Sequence, residues 1–286
     1  MTYGIGFHTN CRCGDTLEET LALIKAAGFS VIQLDTKQDL EEGIKLAQKI
    51  GLKVHYVHLP YGKPLWRNTN DLWAKGAANE ERIAGIIEQI KLCDKYNIPI
   101  TVLHQTYKAR KYSNEIHCEK QGIKSLQKIL DATKNCNVKI ALENLNPGDN
   151  KYMEILLDSI DDPRLGFCYD SGHNYLYTPD VDFMKKYGDR VIAIHLQDNL
   201  MDATDIEESN RDLHLLPFDG KIDFNKVMRN VARSSYNGPV ILESKYRREK
   251  EETLYGSVPP NEFMKEAYKR GQRLAKMLEV LRKERV

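Results

Sequence analysis

The sequence predicts an α/β chain folded as a single (β/α)8 barrel, on three observations. Short apolar runs rich in Val, Ile and Leu recur eight times, each is followed by an amphipathic stretch of helical period, and no shift in composition divides the 286 residues. Strands that are apolar along their whole length need cover on their outer face and pair in parallel. Eight such units in series close into a barrel, so residues 1–286 read as one domain with its site at the C-terminal strand ends. A doubly wound open sheet is the competing architecture, but neither a GxGxxG nor a GxxxxGKS/T turn follows any strand.

Tyr3–Phe7 is the first strand, short and glycine-containing. Asp15 or Thr16 caps a helix that carries Leu17, Leu21 and Ile24 on one face and stops at Gly28. A strand over Ser30–Thr36 leads to a helix over Asp39–Ile50, ended by Gly51. Lys53–Leu59 is the third strand, broken by Pro60-Tyr61-Gly62, and a helix from Ala78 to Tyr96 follows. Pro99–Gln105, a helix near Glu119–Asn135 and the strand Lys139–Leu145 continue the alternation. Asn146-Pro147-Gly148-Asp149 reads as a turn before a short helix over Tyr152–Asp158. The strand ending at Asp170 precedes a helix near Asp182–Tyr187 and the strand Val191–Leu196. A long polar loop, Gln197–Lys221, separates these from the helix Phe224–Arg233 and the last strand, Pro239–Ser244. The final helix is striped by Phe263, Ala267, Leu274, Leu278 and Leu281.

Lys+Arg 42 against Asp+Glu 41 leaves a formal charge of +1, which gives no global reason to expect a polyanionic partner. No run reaches the ~18 apolar residues of a membrane span, and Met1 opens directly into a strand without a leader pattern. The expectation is a cytoplasmic protein with no membrane partner; a homo-oligomer is compatible with the composition. The six cysteines include no CxxC pair, so free thiols are expected in that compartment, with Cys93, Cys136 and Cys168 as core filler.

Chemistry concentrates at the strand ends. LGFCYDSGH delivers Asp170 and then His173; KIALENL delivers Glu143, VIAIHLQDN His195 and GPVILESK Glu243. His58 and His104 end two further strands, and Asp212-Leu213-His214 lies in the seventh βα loop. A lone strand-end histidine is more often a hydrogen-bonded structural residue than a ligand. A carboxylate directly after an apolar run is different, because its burial is costly unless it is paired or holds an ion. Together these positions predict a divalent-metal site of mixed imidazole and carboxylate ligands, which suits zinc, manganese, cobalt or ferrous iron better than calcium; thiolate ligation is not expected.

ALENL, CYDSGH, AIHLQDN, DLHLLPFDGKIDF and ILES, in that order, resemble the strand-end motifs of the xylose isomerase-like TIM-barrel superfamily. That group includes sugar and sugar-phosphate isomerases and epimerases, inosose dehydratases and endonuclease IV. The resemblance implies Glu143, Asp170, His195 and Glu243 as ligands of one divalent ion, with His173 beside the substrate. It implies His58, His104, His173, Asp212 and His214 as additional ligands in nuclease-like members. HLPYGKP and HLLPFDGKIDF read more like the sugar branch. The expected function is therefore a metal-dependent isomerase or epimerase of carbohydrate metabolism acting on a sugar or sugar phosphate. The alternative is an endonuclease IV-like zinc phosphodiesterase on abasic DNA, the one reading with a nucleic-acid partner. In the sugar reading Glu143 and Glu243 are the acid/base pair about a metal-stabilised enediolate, with His173 donating to the oxygen that gains charge. Arg211 resembles a substrate-contacting arginine of ketose epimerases, here sixteen residues beyond His195.

Other residues have bland readings of equal or greater weight. His8 lines the pocket or packs its loop; Tyr61 and Trp66 wall a sugar ring or pack under the third loop. Lys245, with Arg247 and Arg248, faces a phosphate or belongs to a solvated charged loop interleaved with Glu249, Glu251 and Glu252. His55 and His117 are structural or exposed.

Overall fold

The structure is a computed structural model and describes residues 3–35, 39–60, 69–106, 118–200, 212–247 and 254–284. Eight strands follow one another: β1 Ile5–His8, β2 Val31–Asp35, β3 Lys53–His58, β4 Ile100–Leu103, β5 Lys139–Glu143, β6 Leu165–Asp170, β7 Val191–His195 and β8 Val240–Leu242. From β1 to β7 each pairs in parallel with the next, and β8 pairs with β1. Leu196 N donates to Ile241 O at 3.0 Å and Glu243 N to Leu196 O at 3.0 Å, which joins β7 to β8 and completes the ring. The fold is a single (β/α)8 barrel. Among the described residues no helix is long and apolar enough to cross a membrane.

The helices follow from local chemistry. In α1 (Leu17–Ala27) Thr16 and Glu19 form a reciprocal capping box, and Gly28 ends the helix at φ 109°. Asp39 caps α2 (Leu40–Ile50), α3 runs over Ala77–Lys95 and α4 over Glu119–Ala132. Two expectations are corrected. Asn146–Asp149 is not a free turn: the Asn146 side chain accepts from Gly148 N and Asp149 N, and Pro147 starts α5 (Pro147–Ser159). A further helix, α6 (Ser171–Tyr177), starts directly at Asp170, whose side chain caps it, so more helices than the expected eight are present. The remaining ones are α7 (Phe183–Tyr187), α8 (Phe224–Arg233) and α9 (Pro260–Lys283).

The barrel interior holds Tyr56, Ile100, Val102, Ala141, Cys168, Ala193 and Ile241, while the larger core lies between the strands and the helices. Side chains alternate along a strand, so the residue two places on faces the same way. Two positions after an interior residue stand His58, His104, Glu143, Asp170, His195 and Glu243. The alternation is re-phased twice. Register skips His55 in β3 and Ile192 in β7, an extra residue in each strand. These bulges let Val54 and Val191 pack outward while Tyr56 and Ala193 face inward.

Candidate metal centre

The strand ends bring all nine predicted candidates together. Apart from a group of Glu143, Cys168 and His195, three groups of ligand atoms form among the described residues, each with its atoms within 4.8 Å of one another: His58, His104 and Glu143; Glu143, Asp170, His195 and Glu243; and His173, Asp212 and His214. Glu143 belongs to two of them. Its Oε2 lies 3.3 Å from His58 Nε2 and 3.1 Å from His104 Nε2. Its Oε1 lies 3.3 Å from His195 Nδ1 and 3.2 Å from His173 Nδ1. His195 Nδ1 is also 3.2 Å from Glu243 Oε2 and 3.8 Å from Asp170 Oδ2. In the third group Asp212 Oδ2 is 3.2 Å from His173 Nε2 and 2.8 Å from His214 Nε2.

Backbone carbonyls set the imidazole tautomers. His58 Nδ1 donates to Leu59 O at 3.1 Å, His173 Nδ1 to Asn144 O at 2.9 Å and His214 Nδ1 to Glu243 O at 2.8 Å. A carbonyl can only accept, so the neutral form of each ring has its lone pair at Nε2, the atom that faces the carboxylates of its group. Fixing a ligand histidine through its other nitrogen is how metal sites are built. Both ring nitrogens of His195 and Oδ2 of Asp170 are buried without a hydrogen-bond partner among the described residues. The donor set therefore fits divalent cations.

The electrostatics agree. Burial opposes charge on His195, yet Cys168, Glu243 and Glu143 lift its pKa well above the ordinary imidazole value. Burial likewise opposes charge on His173, and Asp170 and Asp212 lift it well above the ordinary value. The imidazoles hold Glu143 and Asp212 well below the ordinary carboxylate range despite burial. Asp170 moves the other way, pushed up to about 7 by burial and by the charges of Glu243 and Glu143. Four carboxylates gathered here repel one another, and without an ion the protons on imidazoles are what offsets them.

Several residues hold the candidates in place, most of them inside ALENL and AIHLQDN. Gln197 Nε2 donates at 3.2 Å to both Asp170 Oδ1 and Asp212 Oδ1, tying two groups together. Asn199 Nδ2 donates to Gln197 Oε1 at 2.8 Å, and Leu213 N donates back to Asn199 Oδ1 at 2.6 Å. Asn144 and Asp170 exchange two bonds, 2.9 Å and 2.8 Å. Asp198 accepts from Asn199, Phe218, Gly220 and Ile222 N–H groups and so shapes the loop carrying Asp212 and His214. Gln33 was missed, although it stands two places after the inward Val31, and its Nε2 donates to Glu243 Oε1 at 3.2 Å.

Two further positions bear on the expectations. Cys168, expected as core filler, lies with Glu143 and His195 in a group of ligand-capable atoms, so a sulfur stands within reach of the centre after all. Burial pushes its thiol up to about 12. His8 is buried at the mouth, its Nε2 donating to Ser244 O at 2.8 Å. Lys245 is half-buried beside it, its N–H donating to His214 O at 2.8 Å. Tyr61, Trp66, Arg211, His117, Arg248, Glu249, Glu251 and Glu252 lie outside the described residues. All six cysteines are free.

Known proteins resemble this chain at two levels. The uncharacterized protein y4fM of Sinorhizobium fredii is 26% identical over 261 residues, 80% of this chain and 81% of its own length. A probable endonuclease 4 of Mycoplasmopsis pulmonis is 29% identical over 178 residues, 57% of this chain and 62% of its own. An inosose dehydratase of Bacillus velezensis is 27% identical over 43% of this chain and 45% of its own. Among solved structures, a D-tagatose 3-epimerase-like protein superposes with TM-score 0.72 at 18% identity over 100% of both chains. An IolI protein with a bound zinc atom superposes with TM-score 0.70 at 16% identity, over 96% of this chain and 98% of that one. Residues 21–281 match the xylose isomerase-like TIM barrel pattern, and the chain belongs to that family.

Proposed function

We propose that this chain is a multinuclear divalent-metal enzyme, zinc being the best fit to its histidine-rich groups, that hydrolyses a phosphodiester. The observation that carries this reading is Glu143. Each of its oxygens faces two imidazoles, at 3.1 to 3.3 Å. Its Oε2 shares a group with His58 and His104 and its Oε1 with His195, so it would hold a cation on each side, and no oxygen would be left over to shuttle a substrate proton. Charge supports the same conclusion. Against four carboxylates, one divalent ion leaves two negative charges in the cluster, whereas three leave two positive ones, the sign that attracts a phosphate.

Bound divalent ions would supply Lewis-acid stabilisation of phosphoryl oxygens and a water acidic enough to ionise near neutral pH. The chain's own part is to hold the groups. Glu143 joins the first two, Gln197 links Asp170 to Asp212, and the carbonyls of Leu59, Asn144 and Glu243 keep the histidines in one tautomer. The endonuclease 4 relatives act, by their name, on a nucleic-acid backbone. Residues 1–286 work as one catalytic unit in this reading, in the cytoplasm, where the free thiols are at home.

The isomerase or epimerase of a sugar, set first from sequence alone, becomes the second reading. It keeps a specific support: Glu243 offers Oε2 to the central group while, among the described residues, Oε1 is held by the Gln33 amide, an arrangement open to proton transfer. One experiment separates the two. Zinc- or manganese-loaded protein is assayed on bis(p-nitrophenyl) phosphate and on duplex DNA bearing an abasic site. In parallel, deuterium exchange from solvent into D-fructose and D-psicose is followed. Phosphodiester cleavage without exchange is expected; exchange at a carbinol carbon without cleavage installs the sugar enzyme instead.

A further inference from the structure

Beneath the metal centre stands a thiol. Cys168 faces the barrel interior two places before Asp170, in register with Glu143 on one side and Ala193 on the other, and is fully buried. It shares that interior with apolar side chains and with Tyr56, whose hydroxyl is committed elsewhere. Tyr236 O–H donates to Pro239 O, a carbonyl that can only accept, so the 2.6 Å contact between the two hydroxyls carries the Tyr56 proton. Toward the mouth the sulfur meets donors instead. Cys168 Sγ, an oxygen of Glu143 and a ring nitrogen of His195 lie within 4.8 Å of one another. Donors bonded to one zinc at about 2.0–2.3 Å lie about 3.6 Å apart at the tetrahedral angle, so spacing of this order suits a shared ion.

A second observation points to an ion at the same place. His195 is fully buried, and neither of its ring nitrogens has a hydrogen-bond partner among the described residues. Its Nδ1 stands 3.3 Å from Glu143 Oε1 and 3.2 Å from Glu243 Oε2, yet is not directed at either so as to bond. Buried polar nitrogens are nearly always satisfied, and one placed between two carboxylate oxygens is satisfied by a cation. Glu143 and His195 belong both to the central group and to the group with the sulfur. We propose that Cys168 is a ligand of the central ion, joining Glu143, Asp170, His195 and Glu243 from beneath, and that its thiolate makes the centre select thiophilic divalent cations such as zinc over manganese or magnesium. This rests on the metal centre of the reading above and not on the reaction assigned to it. A coordinating thiol is deprotonated: its S–H bond breaks as the sulfur–metal bond forms, and the proton leaves to solvent. No separate cavity is required beside the sulfur, because the ion lies among donors already gathered and is reached from the mouth, where His104, His173 and Glu243 keep some exposure. One further negative charge leaves three divalent ions with one positive charge in excess, still the sign that attracts a phosphate.

Metal spectroscopy tests this without turnover. Full-length protein is loaded with cobalt(II) in the absence of oxygen and, separately, with NMR-active cadmium. Cobalt should give a near-ultraviolet sulfur-to-metal charge-transfer band. One cadmium resonance should lie in the range of mixed sulfur, nitrogen and oxygen ligation and couple to the Cβ protons of Cys168. Cys168→Ser should abolish the band and the coupling while cobalt still binds, and should remove most of the parent's preference for cadmium over manganese in competition. Cys168→Ala serves if the serine variant does not fold, and the coupling in the unaltered chain is read without either variant. Bound cobalt with no such band, a band of undiminished strength in the variants, which assigns it to another cysteine, or cadmium without coupling to Cys168 would overturn the ligand. An unchanged metal preference in the variants would overturn the selectivity. Failure to take up either metal removes the ligand and the proposed function together. The band without phosphodiester cleavage removes that function and leaves the ligand standing; cleavage without the band removes only the ligand.

Discussion

At the scale of single residues, Glu143 and Gln197 organise the centre in different ways. Glu143 faces four imidazoles directly, whereas Gln197 holds two carboxylates at 3.2 Å each. Removing a group that orients ligands typically costs 10- to 100-fold in metal affinity. Gln197→Ala should therefore weaken zinc binding by about 10- to 100-fold while circular dichroism shows the fold intact; unchanged affinity would show Gln197 to be loop packing. The raised pKa values of His173 and His195 carry a second expectation. A histidine whose folded pKa exceeds its unfolded value stabilises the metal-free protein below the unfolded pKa, and that contribution is lost as pH rises through the folded value. The same protons must leave when a cation enters. The rise in Tm on adding zinc should thus be larger at about pH 8 than at about pH 6, and calorimetry in buffers of different ionisation enthalpy should register proton release near neutral pH. A zinc effect on Tm independent of pH would contradict the assignment of these imidazoles as ligands.

At the scale of elements, the strand ends were legible and the helix starts less so. Glu143, Asp170, His195 and Glu243 stand out in sequence because a charged residue ending an apolar run has few ways to be stable. His58 and His104 looked no different from structural histidines until the neighbouring strands supplied a shared carboxylate. Gln33 escaped because an uncharged amide at a strand centre reads as ordinary. Asn146–Asp149 misled for a related reason: the residues that favour a turn also cap a helix, and Pro147 sits where a helix tolerates it. The helix α6 was hidden because its cap, Asp170, is also a candidate ligand: Oδ1 accepts from His173 N at 2.7 Å while Oδ2 faces the central group. Gly172, in the first turn of α6, makes a local test. A Cβ there would stand 2.2 Å from the Gln197 side chain, which its own hydrogen bonds hold in place. Gly172→Ala should reproduce the metal-binding loss of Gln197→Ala at a stability cost of about 1–3 kcal/mol, read from denaturant unfolding; a variant that binds zinc like the parent would show that Gln197 has room to move.

At the scale of the whole molecule, closure of the ring is what makes the centre possible. Residues 143, 170, 195 and 243 meet only because β5 to β8 lie side by side and the bonds through Leu196 join β7 to β8. The barrel also explains why the family allows several chemistries: the strands fix a ring of inward positions, and the residues at those positions decide how many cations and which substrate they take. In this chain the ring carries enough imidazoles to surround both oxygens of one carboxylate. The most direct measurement is anomalous X-ray diffraction at the zinc edge from crystals of the zinc-loaded protein. Three peaks are predicted, two of them on opposite oxygens of Glu143 and the third among His173, Asp212 and His214. A single peak at the Glu143–Asp170–His195–Glu243 group, with His58 and His104 turned away from Glu143, would contradict the multinuclear account.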